Sequence, residues 1–328
     1  MGSLGHNPPT RSDRLAADRR RPYTSGVFHI AAFYRFTPIP DPEALRDGIL
    51  QACHEAEIKG TMLLAPEGIN GTIAGTEDGV HAVLDFLRST DPIDELPTKR
   101  STAEDDPFLR LKVRIKREIV TLGVGEVDTR ANTGVHVPAG EWNDLISDPD
   151  VFVIDTRNDY EVAIGSFDGA LDPHTNSFTE FPDWVTALDG LDKDTRVAMF
   201  CTGGIRCEKA TAYLTEQGFT NVFQLEGGIL KYLETTPESE SMWDGECYVF
   251  DRRVSVGHGL VPGTMEICPN CNRVVDDVGR AGEGYVPGVT CPTCVDTITD
   301  ERRARFSERQ RQIELAAERG THHLGRTL

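Results

Sequence analysis

A cysteine followed by two glycines and an arginine stands at the end of an apolar run in the middle of the chain. The segment CTGGIRCEKA begins at Cys201, directly after VAMF, and contains Gly203, Gly204 and Arg206. The thiolate is the nucleophilic form of cysteine, and its pKa falls beside a positive charge or a helix N-terminus. The glycines permit backbone torsions that turn several amides toward one point. The segment therefore predicts an anion-binding loop around the sulfur of Cys201; the alternative is a buried cysteine at a strand end.

The spacing between the cysteine and the arginine limits what the loop can hold. Phosphatases that use cysteine place five residues between the two, whereas here the four residues Thr202–Ile205 intervene. A shorter ring is harder to close around a phosphate and suits a smaller load such as a sulfane sulfur. Cys207 has two open interpretations. It is a buried small side chain in the first helical turn, or it forms a disulfide or exchanges sulfur with Cys201.

Four other cysteines form two knuckles near the C-terminus. They follow the pattern C-x2-C-x19-C-x2-C and are Cys268, Cys271, Cys291 and Cys294. This spacing is typical of a zinc site in which four thiolates fill the coordination sphere and leave no position for substrate. An iron–sulfur centre and metal-free thiols are the alternatives. We expect structural zinc, and with it a segment that folds only when the metal is bound.

Positive charges recur at every second residue of the run RLKVRIKREIV. These residues are Arg110, Lys112, Arg114 and Lys116. A strand would place all four on one face and the intervening apolar residues on the other. A solvated outer face of a sheet is the alternative. Because the net charge of -19 disfavours general phosphate binding, this stripe is the best candidate for a local phosphate-binding track.

The residues from 27 to 122 alternate between strand and helix patterns. FHIAAFYRF reads as a strand, and Asp41-Pro42-Glu43 supplies an N-cap, a proline at the first helical position and an acid in the first turn. GTMLLAPEG and GTIAGT flank Asn70-Gly71, which is a hairpin signal. A second helix follows from Thr76, and RLKVRIKREIV closes the unit as a strand. The order βαββαβ predicts a ferredoxin-like α+β domain.

The residues from 126 to 238 repeat a strand-then-helix pattern. The strand runs VFVID, VAMF and NVFQL alternate with the helical patterns GEWNDLIS, FPDWVTAL, EKATAYLTEQG and GGILKYLE. This order predicts an α/β domain in which a parallel sheet carries helices on both faces. Ligands of such sheets bind beyond the carboxyl ends of the strands, where Cys201 lies. The polar stretch PESESMWDGE then leads to a third region, residues 245–328, with the cysteine knuckles and a charged, solvated terminal helix.

The composition sets outer limits on the function. The chain has 328 residues, of which 38% are hydrophobic and 27% charged, so two or three globular domains are expected. Residues 1–22 have no apolar segment and so no secretory signal. A disordered tail is expected over residues 1–26, with a transit peptide as the alternative, and no apolar stretch is long enough to cross a membrane. Eight cysteines, four of them in knuckles, favour metal binding and reactive thiols over disulfides. We therefore expect a cytoplasmic protein without membrane association.

Two further stretches accompany the cysteine loop. VFVIDTRNDYEVAIGSFDGA precedes it, and NVFQLEGGI follows it. Together with CTGGIR they resemble a rhodanese domain, with its Asp-x-Arg element, its glutamate and its reactive loop. The resemblance implies that Cys201 can carry a persulfide. It also implies that Asp155, Arg157 and Glu161 mainly brace the fold, which is how we interpret them.

Three motifs in different parts of the chain carry a wider resemblance. LLAPEGINGTIAG lies in the first domain, CTGGIRCEKA in the second, and VFDRRVSVGHG before the knuckles. In this order they resemble the oxygen-dependent tRNA uridine hydroxylases. The resemblance implies hydroxylation of the wobble uridine, position 34, to 5-hydroxyuridine, with molecular oxygen as co-substrate. Cys201 and Arg206 would be the catalytic residues, and no obligate protein partner is inferred.

The resemblance also implies how tRNA would bind. The anticodon loop would enter a cleft between the first two domains, since sequence-specific RNA recognition favours unstacked loop bases. Glu67, Asn70 and Thr72 of the EGINGT turn would help to line this cleft, although a plain hairpin turn is an equal interpretation. The oxygen-activating group stays unidentified, because the chain has neither a flavin-binding glycine motif nor a two-histidine, one-carboxylate set. Among the histidines, His258, in SVGHG, stays a candidate for a functional role.

Two other functions compete with the hydroxylase. The first is a sulfurtransferase that passes sulfane sulfur through a persulfide on Cys201. The second is a zinc-stabilised RNA-binding or scaffold protein in which Cys201 is silent.

Overall fold

The structure is a computed structural model that describes residues 27–125, 127–188 and 191–319. The disordered tail expected at 1–26 lies outside the described residues. Within them, no helix is both long and apolar enough to cross a membrane. The α-helices are α1 (Pro42–Glu55), α2 (Glu77–Arg88), α3 (Ala139–Ile146), α4 (Asp159–Val162), α5 (Phe181–Thr186), α6 (Ile205–Glu216), α7 (Gly228–Thr235), α8 (Asp277–Ala281) and α9 (Asp300–Glu318). The strands are β1 (Phe28–Phe36), β2 (Lys59–Ala65), β3 (Gly68–Gly75), β4 (Thr98–Ala103), β5 (Leu111–Ile115), β6 (Val135–Val137), β7 (Val151–Asp155), β8 (Gly165–Phe167), β9 (Arg196–Phe200), β10 (Asn221–Leu225), β11 (Trp243–Gly245), β12 (Cys247–Tyr248), β13 (Ser255–Val256), β14 (Glu266–Ile267) and β15 (Val274–Val275).

The first domain is a five-stranded sheet that shares one apolar core with α1 and α2. The strand order is β4-β1-β3-β2-β5, and the first four strands pair antiparallel. With the two helices they give the order βαββαβ, so the ferredoxin-like prediction is confirmed. The predicted helix starts are also found. The side chains of Asp41 and Thr76 accept hydrogen bonds from the backbone N–H groups of Ala44 and Gly79, as N-caps do.

The strand that closes this unit differs from the prediction. The sequence predicts that RLKVRIKREIV is the closing strand, and this is wrong. The closing strand is β4, which pairs with β1, whereas β5 is a fifth strand that runs parallel to β2 at the sheet edge. In the segment TKRSTA, Ala103 is the one buried residue. Because β4 lacks the alternating apolar pattern that marks a strand, it gives no signal in the sequence.

The predicted hairpin turn at Asn70-Gly71 is also wrong. Ala65 pairs with Gly68, so β2 and β3 are joined by a tight turn at Pro66-Glu67. Gly71 lies within β3, and a Cβ on it would meet the Cγ of Met62 at 2.6 Å. Glycine is therefore required at this position by close packing against the neighbouring strand and not by a turn.

The second domain is built on a parallel sheet with the order β6-β10-β9-β7. Successive residues of β9 face opposite sides, as a strand requires. Val197 and Met199 pack in one apolar core with α6, and Ala198 and Phe200 pack in another with α3 and α7. The predicted α/β architecture with helices on both faces is confirmed.

Cys201 follows the carboxyl end of β9, and the start of α7 packs directly against its loop. The backbone N–H groups of Ile229 and Leu230 donate to the carbonyl oxygens of Cys201 and Thr202, both at 3.0 Å. Gly228 has a φ of +68°, and a Cβ there would lie 2.5 Å from the carbonyl oxygen of Cys201. Glycine at this position therefore allows α7 to approach and hold the loop.

The residues after α7 pack against the second domain before the cysteine knuckles begin. β11 pairs antiparallel with β8, and Trp243, Val249, Val256 and Leu260 belong to the core around α7. The stretch PESESMWDGE is thus more than a polar linker. Beyond it, α9 contains no buried residue in its described part, as expected for a solvated helix. The boundaries 27–122, 126–238 and 245–328 stay a prediction.

Candidate active site

A cavity of about 530 Å³ opens between the first two domains. The first domain contributes Tyr34, Asn70 and Lys99 to its wall, and the second contributes Cys201 and its loop. The segment after β12 adds Val249, Phe250, Asp251 and Arg253. A cleft therefore exists where the sequence predicts one, and it contains the cysteine that the sequence singles out.

The loop after β9 surrounds the sulfur of Cys201 with hydrogen-bond donors. The backbone N–H of Gly204 donates to the Sγ at 3.1 Å. Gly204 has a φ of +97°, and this left-handed conformation turns the chain into α6. Burial raises the pKa of Cys201, but the Cys207 thiol, the Arg206 charge and the N–H groups of these two residues lower it to about 5. Cys201 is therefore a thiolate at neutral pH.

Arg206 is held by a carboxylate. Its Nη1 and Nη2 donate to the Oε2 and Oε1 of Glu161 at 2.6 and 2.7 Å, and both side chains are buried. Thr202 joins this pair, because its hydroxyl donates to Glu161 at 3.2 Å. Arg206 thus supplies positive charge near the sulfur while its own charge is balanced by Glu161. The ionised state of Cys201 depends on the amides and on Cys207 as well as on Arg206.

A second buried ion pair braces the same region. The Nε and Nη2 of Arg157 donate to Asp155 at 2.9 and 2.6 Å, and Nη1 donates to the carbonyl oxygen of Glu161 at 3.1 Å. Neither side chain of the pair has exposed surface. This geometry agrees with the interpretation of Asp155 and Arg157 as bracing residues. By bonding the backbone of Glu161, Arg157 helps to hold the carboxylate that pairs with Arg206.

Cys207 is buried below the loop as a free thiol. Its sulfur lies 3.6 Å from the hydroxyl oxygen of Thr156. Burial and the neighbouring Cys201 thiolate raise the pKa of Cys207 well above its ordinary value. Cys207 therefore stays protonated and donates to Cys201. Both cysteines are free, so the disulfide is not formed, and Cys207 is a buried residue with an added role in lowering the pKa of Cys201. Sulfur exchange with Cys201 stays a prediction.

Glu208 and Lys209, which follow Cys207 in α6, join the two domains, and the sequence predicts neither contact. The hydroxyl of Tyr34 donates to the Oε1 of Glu208 at 2.9 Å. Lys209 pairs with Glu67 at 2.9 Å and with Glu118 at 2.5 Å, with its side chain 1% exposed. Neighbouring charged residues such as Glu208 and Lys209 are common on the exposed face of a helix. The sequence therefore offers no signal that these two are buried.

The predicted RNA-contacting residues are not brought together. Glu67 forms an ion pair with Lys209 and accepts a hydrogen bond from the N–H of Ile119. It is therefore a contact between domains, which corrects its expected place as an open lining residue. Asn70 and Thr72 do line the cavity, although Asn70 lies in a strand. Of the basic stripe, Lys116 lines the cavity. Arg110, Lys112 and Arg114 do not line it, and β5 keeps its apolar face against the core as predicted.

The four knuckle cysteines converge on one point. The Sγ atoms of Cys268 and Cys294 and those of Cys271 and Cys291 are each 3.6 Å apart, and all four lie within 4.8 Å of one another. A tetrahedral ion with Zn–S bonds of about 2.3 Å would separate its sulfurs by about 3.8 Å. The cluster therefore fits a metal ion. His258 belongs to no group of possible metal ligands among the described residues, and its Nδ1 is buried without a hydrogen bond.

Comparisons with known proteins agree with this architecture. A family model described as a UPF0176 acylphosphatase-like domain matches residues 28–119, and one described as a rhodanese-like domain matches residues 138–235. The fold and the cysteine loop thus define a protein that combines an acylphosphatase-like domain with a rhodanese-like domain.

The most similar relatives narrow this class. A protein of Agrobacterium fabrum named tRNA uridine(34) hydroxylase is 53% identical over 93% of this chain and 98% of its own length. Proteins of the same name from Teredinibacter turnerae and Acaryochloris marina are each 51% identical. They cover 90% and 91% of this chain and 92% and 96% of their own lengths. The chain belongs to the tRNA uridine(34) hydroxylase family.

Proposed function

We propose that this protein hydroxylates uridine 34 of tRNA to 5-hydroxyuridine, with Cys201 as the essential nucleophilic or redox-active group. The observation that carries the proposal is an ionised cysteine at a cavity between two domains, in a chain 53% identical to a protein named for this reaction. Molecular oxygen is the co-substrate in this proposal.

The cavity suits a single extruded nucleoside. Its volume of about 530 Å³ is in the range typical of small-molecule sites. Bases of an anticodon loop are unstacked easily, and enzymes that act on a base take it out of the stack. Phe250 borders the cavity and is 62% exposed, so it offers a ring on which a loop base stacks. We infer that the anticodon loop binds at this opening.

The metal at the knuckles is, in our proposal, structural zinc. Four thiolates occupy all positions of a tetrahedral ion and leave none for oxygen or substrate. The zinc would therefore order the third region without taking part in the reaction. A substrate of tRNA and eight free cysteines together favour the cytoplasm.

The test is mass spectrometry of nucleosides from tRNA of a deletion strain complemented with wild type or with Cys201→Ser. Wild type is expected to restore 5-hydroxyuridine and its derivatives, and Cys201→Ser is expected to restore none. In the purified reaction, isotope-labelled O2 is expected to place its label in the product. Unchanged modification in the deletion strain, with no second pathway present, would overturn the proposal.

Sulfur transfer is the second candidate function. The amides around Cys201 would stabilise a persulfide as well as a thiolate. Thiosulfate-to-cyanide transfer by the purified protein, lost in Cys201→Ser, would favour it if tRNA of the deletion strain is normal. Full complementation by Cys201→Ser would instead favour a scaffold protein with a silent cysteine.

A further inference from the structure

The cavity has four cationic side chains, and they differ in what balances their charge. Arg206 is paired with Glu161, and Arg253 is paired with Asp251, each at 2.6 Å. Lys116 is exposed at the edge. Lys99 makes neither a hydrogen bond nor an ion pair with any residue in the described part of the chain. An unpaired ammonium group inside a cavity is available to a ligand.

The position of Lys99 is fixed by both domains. It lies on β4 opposite Ala32 of β1, and its Nζ is 5.1 Å from the centre of the Tyr34 ring, which is within cation–π range. On the other side, a Cβ on Gly227 would meet the Cε of Lys99 at 3.5 Å. The side chain therefore extends from the first domain to the start of α7, whose Ile229 amide bonds the carbonyl of Cys201.

The electrostatic surroundings favour proton donation by Lys99. Burial lowers the pKa of Lys99 to about 8, although the charges of Cys201, Glu208 and Glu234 oppose that effect. An acid with this pKa is largely protonated at neutral pH and gives up its proton more readily than an exposed lysine. Lys99 and Cys201 thus form a proton donor and a thiolate at one cavity, supplied by different domains.

We propose that Lys99 is a second catalytic residue, whose ammonium group donates to O4 of the target uracil while the sulfur of Cys201 adds to C6. The proposal rests on the proposed function. Uracil conjugates its C5–C6 double bond with the C4–O4 carbonyl, so a nucleophile that adds at C6 sends charge to O4. A donor at that oxygen stabilises the charge as it develops.

The step is balanced without an oxidant. The sulfur lone pair forms the S–C6 bond, the C5–C6 π bond breaks, and its electron pair moves through C4 to O4, which receives the proton of Lys99. The product is an enol adduct with a nucleophilic C5, the carbon that the reaction must oxygenate. When oxygen is absent, C5 takes a proton from solvent and loses its original one. The thiolate then leaves.

This reversal supplies an assay that is separate from hydroxylation. Uridine 34 of an unmodified tRNA, incubated anaerobically with the protein in deuterium oxide, is expected to gain deuterium at C5. Cys201→Ser should abolish the exchange. Lys99→Met, which keeps the length of the side chain without its charge, is expected to slow exchange at saturating tRNA by about a hundredfold. Lys99→Arg should recover part of this loss because it keeps a positive donor.

The matched control is Lys193→Met. Lys193 is an exposed lysine whose Nζ lies 3.9 Å from the centre of the Phe219 ring, and it does not line the cavity. We expect its exchange rate, its hydroxylation rate and its tRNA affinity to stay within about twofold of wild type. Thermal unfolding of each variant checks that Lys99→Met is folded. If it is not, Lys99→Arg and Lys99→Gln take its place.

The outcomes separate the two proposals. Normal exchange by Lys99→Met would overturn the catalytic role of Lys99. If Lys99→Met binds tRNA more weakly but exchanges at the normal rate when tRNA is saturating, the catalytic role is likewise overturned, and Lys99 is a phosphate ligand instead. Wild-type hydroxylation without any exchange would overturn the addition step and leave the proposed function intact. No hydroxylation by wild type, with tRNA bound and oxygen present, would instead contradict the proposed function.

Discussion

Tyr34 of the first domain donates its hydroxyl to the Oε1 of Glu208 at 2.9 Å, seven residues after Cys201 in the second domain. Glu208 is buried and also bonded by Thr133 at 2.7 Å and His136 at 3.0 Å. A network of this kind holds its members more strongly than isolated pairs would. The first domain is therefore fixed against the helix that begins in the cysteine loop.

Removal of this one hydroxyl tests the contact between the domains. Tyr34→Phe is expected to lower the free energy of unfolding by about 1–3 kcal/mol, because it removes a hydrogen bond to a buried carboxylate. Urea denaturation measures the loss. Tyr285→Phe removes a similar bond to Glu266 that lies at the surface, and it should have a much smaller effect. Equal losses in the two variants would contradict a special role for the contact between the domains.

The buried pair of Glu161 and Arg206 makes a stronger prediction. Glu161→Gln leaves a buried guanidinium without its counter-charge, which typically costs about 3–5 kcal/mol. We expect a large drop in the denaturation midpoint. Glu308→Gln is the control, because Glu308 pairs with Arg311 on the exposed face of α9, where such pairs contribute little. A small effect of Glu161→Gln would show that water reaches Arg206.

Cys207 is expected to control the ionisation of its neighbour. The thiolate absorbance of wild type, taken as the difference from Cys201→Ser, should appear as pH rises through about 5. Cys207→Ala removes a hydrogen-bond donor to the thiolate and should move this midpoint to higher pH. Cys247→Ala, at another buried cysteine, should leave it unchanged. If the midpoint does not move in Cys207→Ala, the thiol of Cys207 does not stabilise the thiolate.

Metal removal should affect the third region alone. We expect one zinc ion per chain by elemental analysis, and a strong chelator or Cys291→Ser should expose residues 264–299 to protease, since such sites fold only with metal. The first two domains have their own apolar cores and should keep their unfolding transition. Iron in place of zinc, or protease resistance without metal, would contradict the prediction.

The basic stripe is expected to contribute unequally to tRNA binding. Lys116→Gln should weaken binding and reduce the slope of log affinity against log salt by about one, because Lys116 borders the cavity. Arg110→Gln, just before the start of β5 and away from the cavity, should change both by less. Equal effects would indicate that RNA follows the whole stripe.

Local patterns in the sequence predicted much of this structure. The strand that ends just before Cys201 and the helix that follows give clear apolar runs, and cysteine spacing alone predicted the cluster of four cysteines that could hold a metal ion. The prediction failed where packing decides the local structure. Gly71 reads as a turn residue, yet it is required by the side chain of Met62. Lys99 was missed because β4 has no apolar pattern and because its cavity forms only when distant segments meet.

The burial of Lys209 between Glu67 and Glu118 has a consequence for the RNA. Separating the two domains would break both of these ion pairs together with the hydrogen bond from Tyr34 to Glu208, so opening the cavity costs the protein several contacts at once. A preformed cavity cannot wrap around a stacked base. In the proposed binding mode the anticodon loop must then change its own shape, and we expect an RNA whose loop distorts easily to be modified faster than one whose loop is stiff.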